Sequence, residues 1–187
     1  MRPLPKTGVF LDRDDTIIKD RIYLDNPADI EILPGAGDAI RALNSKGVPA
    51  IIITNQSGIA RGLFDEERLH EIHLELMSML ADMGAMIDAV YYCPHHPEGI
   101  IDEYRKTCPC RKPEPGLLYR AAEDFCLDLN SCYMVGDKPM DVETIHRVGG
   151  KGILLTPWQD RTESQTADFT ARDLVEAVQW ILEDINS

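Results

Sequence analysis

Basic residues are in short supply in this 187-residue chain: 19 lysines and arginines stand against 32 aspartates and glutamates, a net charge of −13. A field of that sign repels nucleic acid and anionic membrane surfaces unless cations gather into a patch, and here they are scattered. Neither a nucleic-acid nor a membrane partner is expected. Long apolar runs are missing too; stretches such as AIIIT at 50–54 fall far short of the ~20 residues that span a bilayer. The N-terminus, MRPLPKTGVFLDRDD, has no apolar segment of signal-peptide length before its acids begin, so a cytoplasmic location is expected. There are only five cysteines, an odd number that suits a disulfide framework poorly and fits reduced thiols in a cytosol. What is present, 44% hydrophobic and 27% charged residues, describes an ordinary globule of one domain over 1–187.

Short β-branched or apolar runs alternate with helical patterns. GVFLD (8–12), VPAIIIT (48–54), DAVYYC (88–93), CYMVGD (132–137) and GILLT (152–156) read as strands. Helices are expected over 36–46, with Gly47 closing the first, and over 65–83, opening on three acids and stopping at Gly84. Further helices are expected over 116–126, around 142–148 and over 171–184. Strands alternating with helices imply βαβ units and a parallel sheet covered on both faces. Ligands of such sheets bind beyond the carboxyl ends of the strands.

Those ends carry complementary groups. The first closes on FLDRDDT, with Asp12 and Asp14 two apart. The second closes on TNQSGIARG, with Thr54 and Asn55, and the fourth on VGDKPMD, with Asp137, Lys138 and Asp141. Carboxylates from two strand ends offer the hard oxygen ligands that suit Mg²⁺. The chemistry suggested is phosphoryl transfer to a carboxylate: Asp12 as nucleophile, Asp14 as acid and then base, Thr54 and Lys112 on the phosphoryl oxygens.

DRDDT, TNQSG, CRKP and GDKPMD, in that order, resemble the four motifs of the haloacid dehalogenase-like phosphohydrolases over roughly residues 8–157. The resemblance implies a Rossmann-like three-layer α/β sandwich with a central, mainly parallel sheet, and a phosphoaspartate intermediate. It also implies Mg²⁺ held by Asp12, Asp137 and the main-chain carbonyl of Asp14, with Asp141 behind them. Only short segments follow the first strand, so no large cap domain is expected.

The one sizeable insertion is CPHHPEGIIDEYRKTCPCRKP, 93–113. Cys93 and His95, then Cys108 and Cys110, supply one imidazole and three thiolates, the soft set of a closed tetrahedral zinc site. His96 could replace His95, but the paired spacings favour His95. A zinc-stapled loop would fix where Arg111 and Lys112 project, leaving Zn²⁺ outside the reaction. With FLDRD, TNQSGIARG, YYCPHHPEG, CRKPEPG and YMVGDK, the chain resembles a narrower group, the D-glycero-D-manno-heptose-1,7-bisphosphate 7-phosphatases, kin of histidinol-phosphatases. That resemblance implies a small phosphorylated sugar as substrate, in nucleotide-activated heptose biosynthesis for lipopolysaccharide or surface glycans. It implies substrate contacts from Asp20, Arg21, Ile22, Tyr23, Asn55, Gln56, Ser57, Arg111, Lys112 and Lys138. A monomer is expected.

One departure is Asp15, which stands where the group usually has glycine; Asp tolerates a left-handed backbone better than most residues, and the side chain is expected to face solvent. Competing readings are a histidinol-phosphate phosphatase, a polynucleotide 3′-phosphatase disfavoured by the charge, a non-catalytic zinc-stabilised binding module, and a receiver-type signalling domain, which would not need Thr54, Lys112 and Asp14 together with the cysteine loop. Other residues carry plain expectations: His70 and His73 on an exposed helix face, His146 packed near the end of its helix, Trp158 and Trp180 as packing aromatics, Cys126 and Cys132 in core-like segments.

Overall fold

The computed structural model describes residues 6–156 and 166–187; Trp158 lies outside the described residues. Six strands form one sheet: β1 (Val9–Leu11), β2 (Ala50–Asn55), β3 (Ala89–Cys93), β4 (Tyr133–Gly136), β5 (Lys151–Leu155) and β6 (Phe169–Ala171). They lie in the order β3-β2-β1-β4-β5-β6, and every pairing is parallel. The chain winds outward from β1 in one direction and from β4 in the other, so strand order reverses between these two. A crevice opens there, beyond their carboxyl ends.

Period-two alternation explains the layering. Val9, Leu11, Ile52, Val135 and Ile153 face one core, shared with Ile40 and Leu43 of α1 (Ala36–Ser45), Ile72 and Leu76 of α2 (Glu66–Asp82), and Val178 and Ile181 of α5 (Leu174–Ile185). Phe10, Ile51, Ile53 and Met134 face the other. That side is closed by Leu117 and Leu118 of α3 (Gly116–Phe125) and Ile145 of α4 (Pro139–His146). With both faces covered, β1, β2 and β4 are buried along nearly their whole length, which is why their sequences are almost continuously apolar. This is the expected Rossmann-like α/β sandwich, and its sheet is parallel throughout.

Three boundaries differ from the sequence reading. Helix α4 starts three residues early, at Pro139, since proline at the first position is preorganised for a helix and Asp141 turns back to accept the Lys138 amide at 3.1 Å. Residues 169–171 pair with β5 as a short edge strand, so the helix expected from residue 171 starts later: α5 begins after Asp173, whose side chain accepts from the Glu176 amide. Cys126 is exposed, not core: it ends α3 in the left-handed region at φ 53°. Cys132 is buried as expected. Trp180 stacks on Phe169 with ring centroids 5.0 Å apart, while His146 is exposed and bonds Asp168 at 2.7 Å.

No cap domain follows β1. The chain instead folds back on itself, Ile18 bridging antiparallel to Ile32, before entering α1. Among the described residues no helix is long and apolar enough to cross a membrane.

Candidate active site

The crevice between β1 and β4 collects the acids that end those strands. Asp12 follows β1 directly, its amide donating to Val135 O at 2.9 Å, so its position is an extension of the β1–β4 ladder. Asp137 follows β4, and Asp141 enters from the first turn of α4. One carboxylate oxygen from each of the three lies within 4.8 Å of the others. Gly136 makes this approach possible, because a Cβ there would collide with the Asp141 carboxylate.

Lys112 completes the cluster from across the sheet. It is 4% exposed, and its Nζ donates to Asp12 Oδ1 at 2.6 Å, Asp141 Oδ1 at 2.6 Å and Ile53 O at 3.0 Å. Asn55, the last residue of β2, clamps the Lys112 backbone: its Oδ1 accepts from the Lys112 amide at 3.0 Å and its Nδ2 donates to the Lys112 carbonyl at 3.2 Å. Burial opposes a charge on Lys112, but Asp12 and Asp141 outweigh it and hold its pKa above the ordinary range. Lys112 thus pairs with two of the three carboxylates, and the cluster keeps an excess of negative charge. Burial pushes Asp137 up to about 6, the charge of Asp12 adding to it. Asp137 Oδ2 reaches Lys138 Nζ at 3.4 Å, while its Oδ1 is buried with no hydrogen-bond partner. A buried carboxylate oxygen without a donor beside surplus negative charge is what a hard divalent cation would satisfy, so the donor set fits Mg²⁺. The sequence reading placed Asp141 behind the metal ligands; the structure brings it into the carboxylate cluster and ties it to Lys112.

Asp14 sits apart from this knot. Arg13, 1% exposed, forks onto it, Nη2 donating to both carboxylate oxygens at 3.0 Å and Nε to Oδ1 at 3.2 Å. Gln56 bridges the remainder: Nε2 donates to Asp14 Oδ2 at 3.1 Å and to Thr54 Oγ1 at 2.8 Å, and Oε1 accepts from Arg13 Nη2 at 3.0 Å. Burial raises the Asp14 pKa, with Arg13 pulling it the other way. A carboxyl group so placed is suited to carry a proton.

Two members of this shell were missed by sequence reasoning. Arg13 lies between the two acids, and nothing in its neighbourhood distinguishes it from a solvated arginine. His73, expected on an exposed face, is 5% exposed and meets Arg13 Nη1 at 3.3 Å. Its signal was present, since it shares the helical register of Leu69, Ile72, Leu76 and Leu80, the buried stripe of α2.

The expected substrate contacts divide by environment. The side chains of Asn55 and Gln56 are engaged inside the protein as described. Ser57 is half-buried, and Arg111 donates to His95 O at 3.2 Å. Asp20, Arg21, Ile22 and Tyr23 form an exposed turn in which Ile22 and Tyr23 adopt φ of 49° and 70° and Arg21 pairs with Glu31 at 2.7 Å. Asp15 is exposed with φ 53°, and its Oδ1 accepts from the Asp20 amide at 2.9 Å.

Beside the crevice, Cys93, His95, Cys108 and Cys110 gather into one cluster. The sulfurs lie 3.2–3.4 Å apart as free thiols, and His95 Nδ1 is 3.3 Å from Cys110 Sγ. This compact, soft, four-donor set could hold a tetrahedral ion with bonds near 2.3 Å to sulfur. His96 lies outside it, meeting Arg61 Nη2 at 3.4 Å. The loop is seated on α3, whose Gly116 donates to Pro109 O at 2.8 Å.

Comparison with known proteins places this arrangement. Residues 109–179 match the HAD-hydrolase-like family model. Together with the parallel sheet and the strand-end acids, that match defines a HAD-like hydrolase. The D-glycero-beta-D-manno-heptose-1,7-bisphosphate 7-phosphatase of Photorhabdus laumondii is 40% identical over 86% of each chain, and that of Escherichia coli K12 is 39% identical over 93% of each. The D,D-heptose 1,7-bisphosphate phosphatase of B. bronchiseptica, solved with magnesium and phosphate, superposes with a TM-score of 0.81 at 30% identity, covering 96% of this chain and 99% of that one. The chain belongs to the heptose-1,7-bisphosphate 7-phosphatase family of HAD-like phosphatases.

Proposed function

We propose that this protein removes the 7-phosphate of D-glycero-D-manno-heptose 1,7-bisphosphate, with Asp12 as nucleophile and Asp14 as acid and base. The observation that carries the reading is the buried Lys112, drawn to 2.6 Å of Asp12 and Asp141 beside an unpartnered Asp137 oxygen, with a second carboxyl, Asp14, held separately. The substrate is supported by the family relatives, whose names specify the β anomer in P. laumondii and E. coli.

Mg²⁺ held by Asp12, Asp137 and the Asp14 main-chain carbonyl, with Asp141 alongside, would offset the charge between nucleophile and phosphate dianion. An Asp12 carboxylate oxygen attacks phosphorus and the bond from phosphorus to the sugar oxygen breaks. Asp14 gives its proton to that oxygen. The resulting aspartyl-phosphate is hydrolysed when Asp14, now a carboxylate, takes a proton from the attacking water and the bond from phosphorus to Asp12 breaks. Lys112 and Thr54 stabilise the equatorial phosphoryl oxygens. Ser57, Arg111, Lys138 and the 20–23 turn contact the sugar and its second phosphate. Cys93, His95, Cys108 and Cys110 would hold Zn²⁺, which would stiffen the loop carrying Arg111 and Lys112. The enzyme works as a cytoplasmic monomer on a pathway to activated heptose.

The test is phosphate release from both anomers of the bisphosphate, with position assigned by NMR and histidinol phosphate run in parallel. Release from carbon 7 is expected, fastest with the β anomer, and lost in a folded Asp12→Asn variant. Faster turnover of histidinol phosphate would replace the substrate, and normal rates in Asp12→Asn would remove the nucleophile.

A further inference from the structure

Arginine has no acceptor, so the contact between Arg13 Nη1 and His73 Nε2 at 3.3 Å fixes the direction of the bond. Arg13 donates, Nε2 accepts, and His73 is a neutral imidazole with its proton on Nδ1. A charged imidazole is disfavoured there in any case, because burial and the neighbouring guanidinium push its pKa down to about 3. The ring is itself wedged against Tyr92 of β3, centroids 5.9 Å apart. Helix α2 therefore presents a rigid acceptor to a buried arginine 60 residues away in sequence.

The guanidinium is held at three corners. Nε and Nη2 grip the two oxygens of Asp14, Nη2 also donates to Gln56 Oε1, and Nη1 reaches His73. Of these partners Asp14 must exchange protons with the substrate in the proposed reaction, and Gln56 is hydrogen-bonded to the same carboxylate and to Thr54. His73 is the one anchor that belongs to none of the phosphoryl-binding groups. Without it the fork could pivot about the Asp14 edge, and the carboxyl would follow.

We infer that His73 is a positioning residue for the acid/base Asp14, acting through Arg13: it fixes the guanidinium plane, which in turn sets the orientation of the Asp14 carboxyl toward the leaving oxygen. This rests on the reading of Asp14 as acid/base given above. A displacement of about 1 Å at such a group costs on the order of 100-fold in rate, so a side chain that touches no substrate can govern the proton transfer.

The discriminating measurement is kcat/KM, which reports steps up to formation of the aspartyl-phosphate, compared between two leaving groups. The sugar alkoxide of heptose 1,7-bisphosphate needs a proton from Asp14; the phenolate of p-nitrophenyl phosphate leaves without one. In His73→Leu the ratio of sugar to aryl kcat/KM is expected to fall about 10-fold or more, in the direction of the loss of general acid catalysis. His73→Gln, which returns an acceptor oxygen, is expected to restore most of it. Asp14→Asn is measured alongside and should lower the same ratio. A fall in Asp14→Asn but not in His73→Leu overturns the positioning role and leaves Asp14 its assignment. No fall in either removes both. An equal loss on the two substrates in His73→Leu, or a Gln variant no better than Leu, means that His73 only supports the fold and overturns the inference. Should His73→Leu not fold, His73→Met fills a similar volume without a nitrogen acceptor and is read in the same way.

Discussion

Because His73 is neutral in the folded protein and ordinary in the unfolded chain, its environment makes stability depend on pH in a way that one substitution removes. The ring's pKa drops from 6.5 to about 3 on folding, through burial first and the charge of Arg13 second. Between those values the unfolded chain binds the proton and the folded protein does not, so unfolding is favoured as pH falls. The contribution is fully present above 6.5 and is lost progressively below it. Going from about pH 8 to about pH 5 should therefore destabilise the wild type by about 2 kcal/mol through this ring alone, at 1.36 kcal/mol per pH unit below the unfolded pKa. Urea unfolding of wild type and His73→Leu at the two pH values measures it. The variant starts lower, since Arg13 Nη1 loses its acceptor, but that penalty does not depend on pH. Groups remote from the Arg13–Asp14 contact are common to both chains, and their contribution cancels in the difference. The wild type should lose about 2 kcal/mol more than the variant. Equal losses would mean that His73 is protonated or solvated in the folded protein, and the neutral-acceptor geometry would be wrong.

Cys110→Ala should reduce the bound zinc to well under one ion per chain and lower kcat/KM for the bisphosphate, because Arg111 and Lys112 directly follow the missing ligand; elemental analysis still finding one zinc per chain would refute the ligand set. Gly136→Ala places a methyl group against the Asp141 carboxylate and should destabilise the protein by about 1–3 kcal/mol, with a loss of turnover as Asp141 is pushed off Lys112. An unshifted urea midpoint together with normal kcat would show that the close approach is unnecessary.

The parts of the fold that could be read from the chain are those where one physical requirement acts on consecutive residues. Strands covered on both faces must be apolar throughout, so β1, β2 and β4 announce themselves as short apolar runs. Each stops where a polar residue enters the crevice, which makes Asp12, Asn55 and Asp137 legible as a set. The edge strand β6 was not legible, because three residues, Phe169–Ala171, carry too little alternation to outweigh the helical pattern that follows. Asp15 shows a different limit. Its left-handed φ of 53° suits glycine best, and the chain tolerates aspartate there with the Asp15 carboxylate bonded to the Asp20 amide, a local compensation that spacing alone does not reveal.

The shell behind Asp14 marks where reading along the chain runs out. Phosphoryl chemistry restricts the residue types that can attack, protonate or neutralise, and it places them at fixed offsets from strand ends. What holds them is under no such restriction. Arg13 is buried because its guanidinium is matched on three sides, by a neighbour in sequence, by Gln56, and by a histidine on α2 that is set by helix register against β3. Each alone has an ordinary explanation: a solvated arginine, a polar loop glutamine, a histidine on a helix. Only their meeting, at 3.0 to 3.3 Å, makes one buried network. Position 73 was expected on an exposed face, yet it falls in the register of the apolar stripe of α2, which turns it inward. Burying an imidazole needs a donor or an acceptor for each ring nitrogen. A histidine in register with Leu69, Ile72 and Leu76 therefore already implied a polar partner inside the protein, and the only open question was which one.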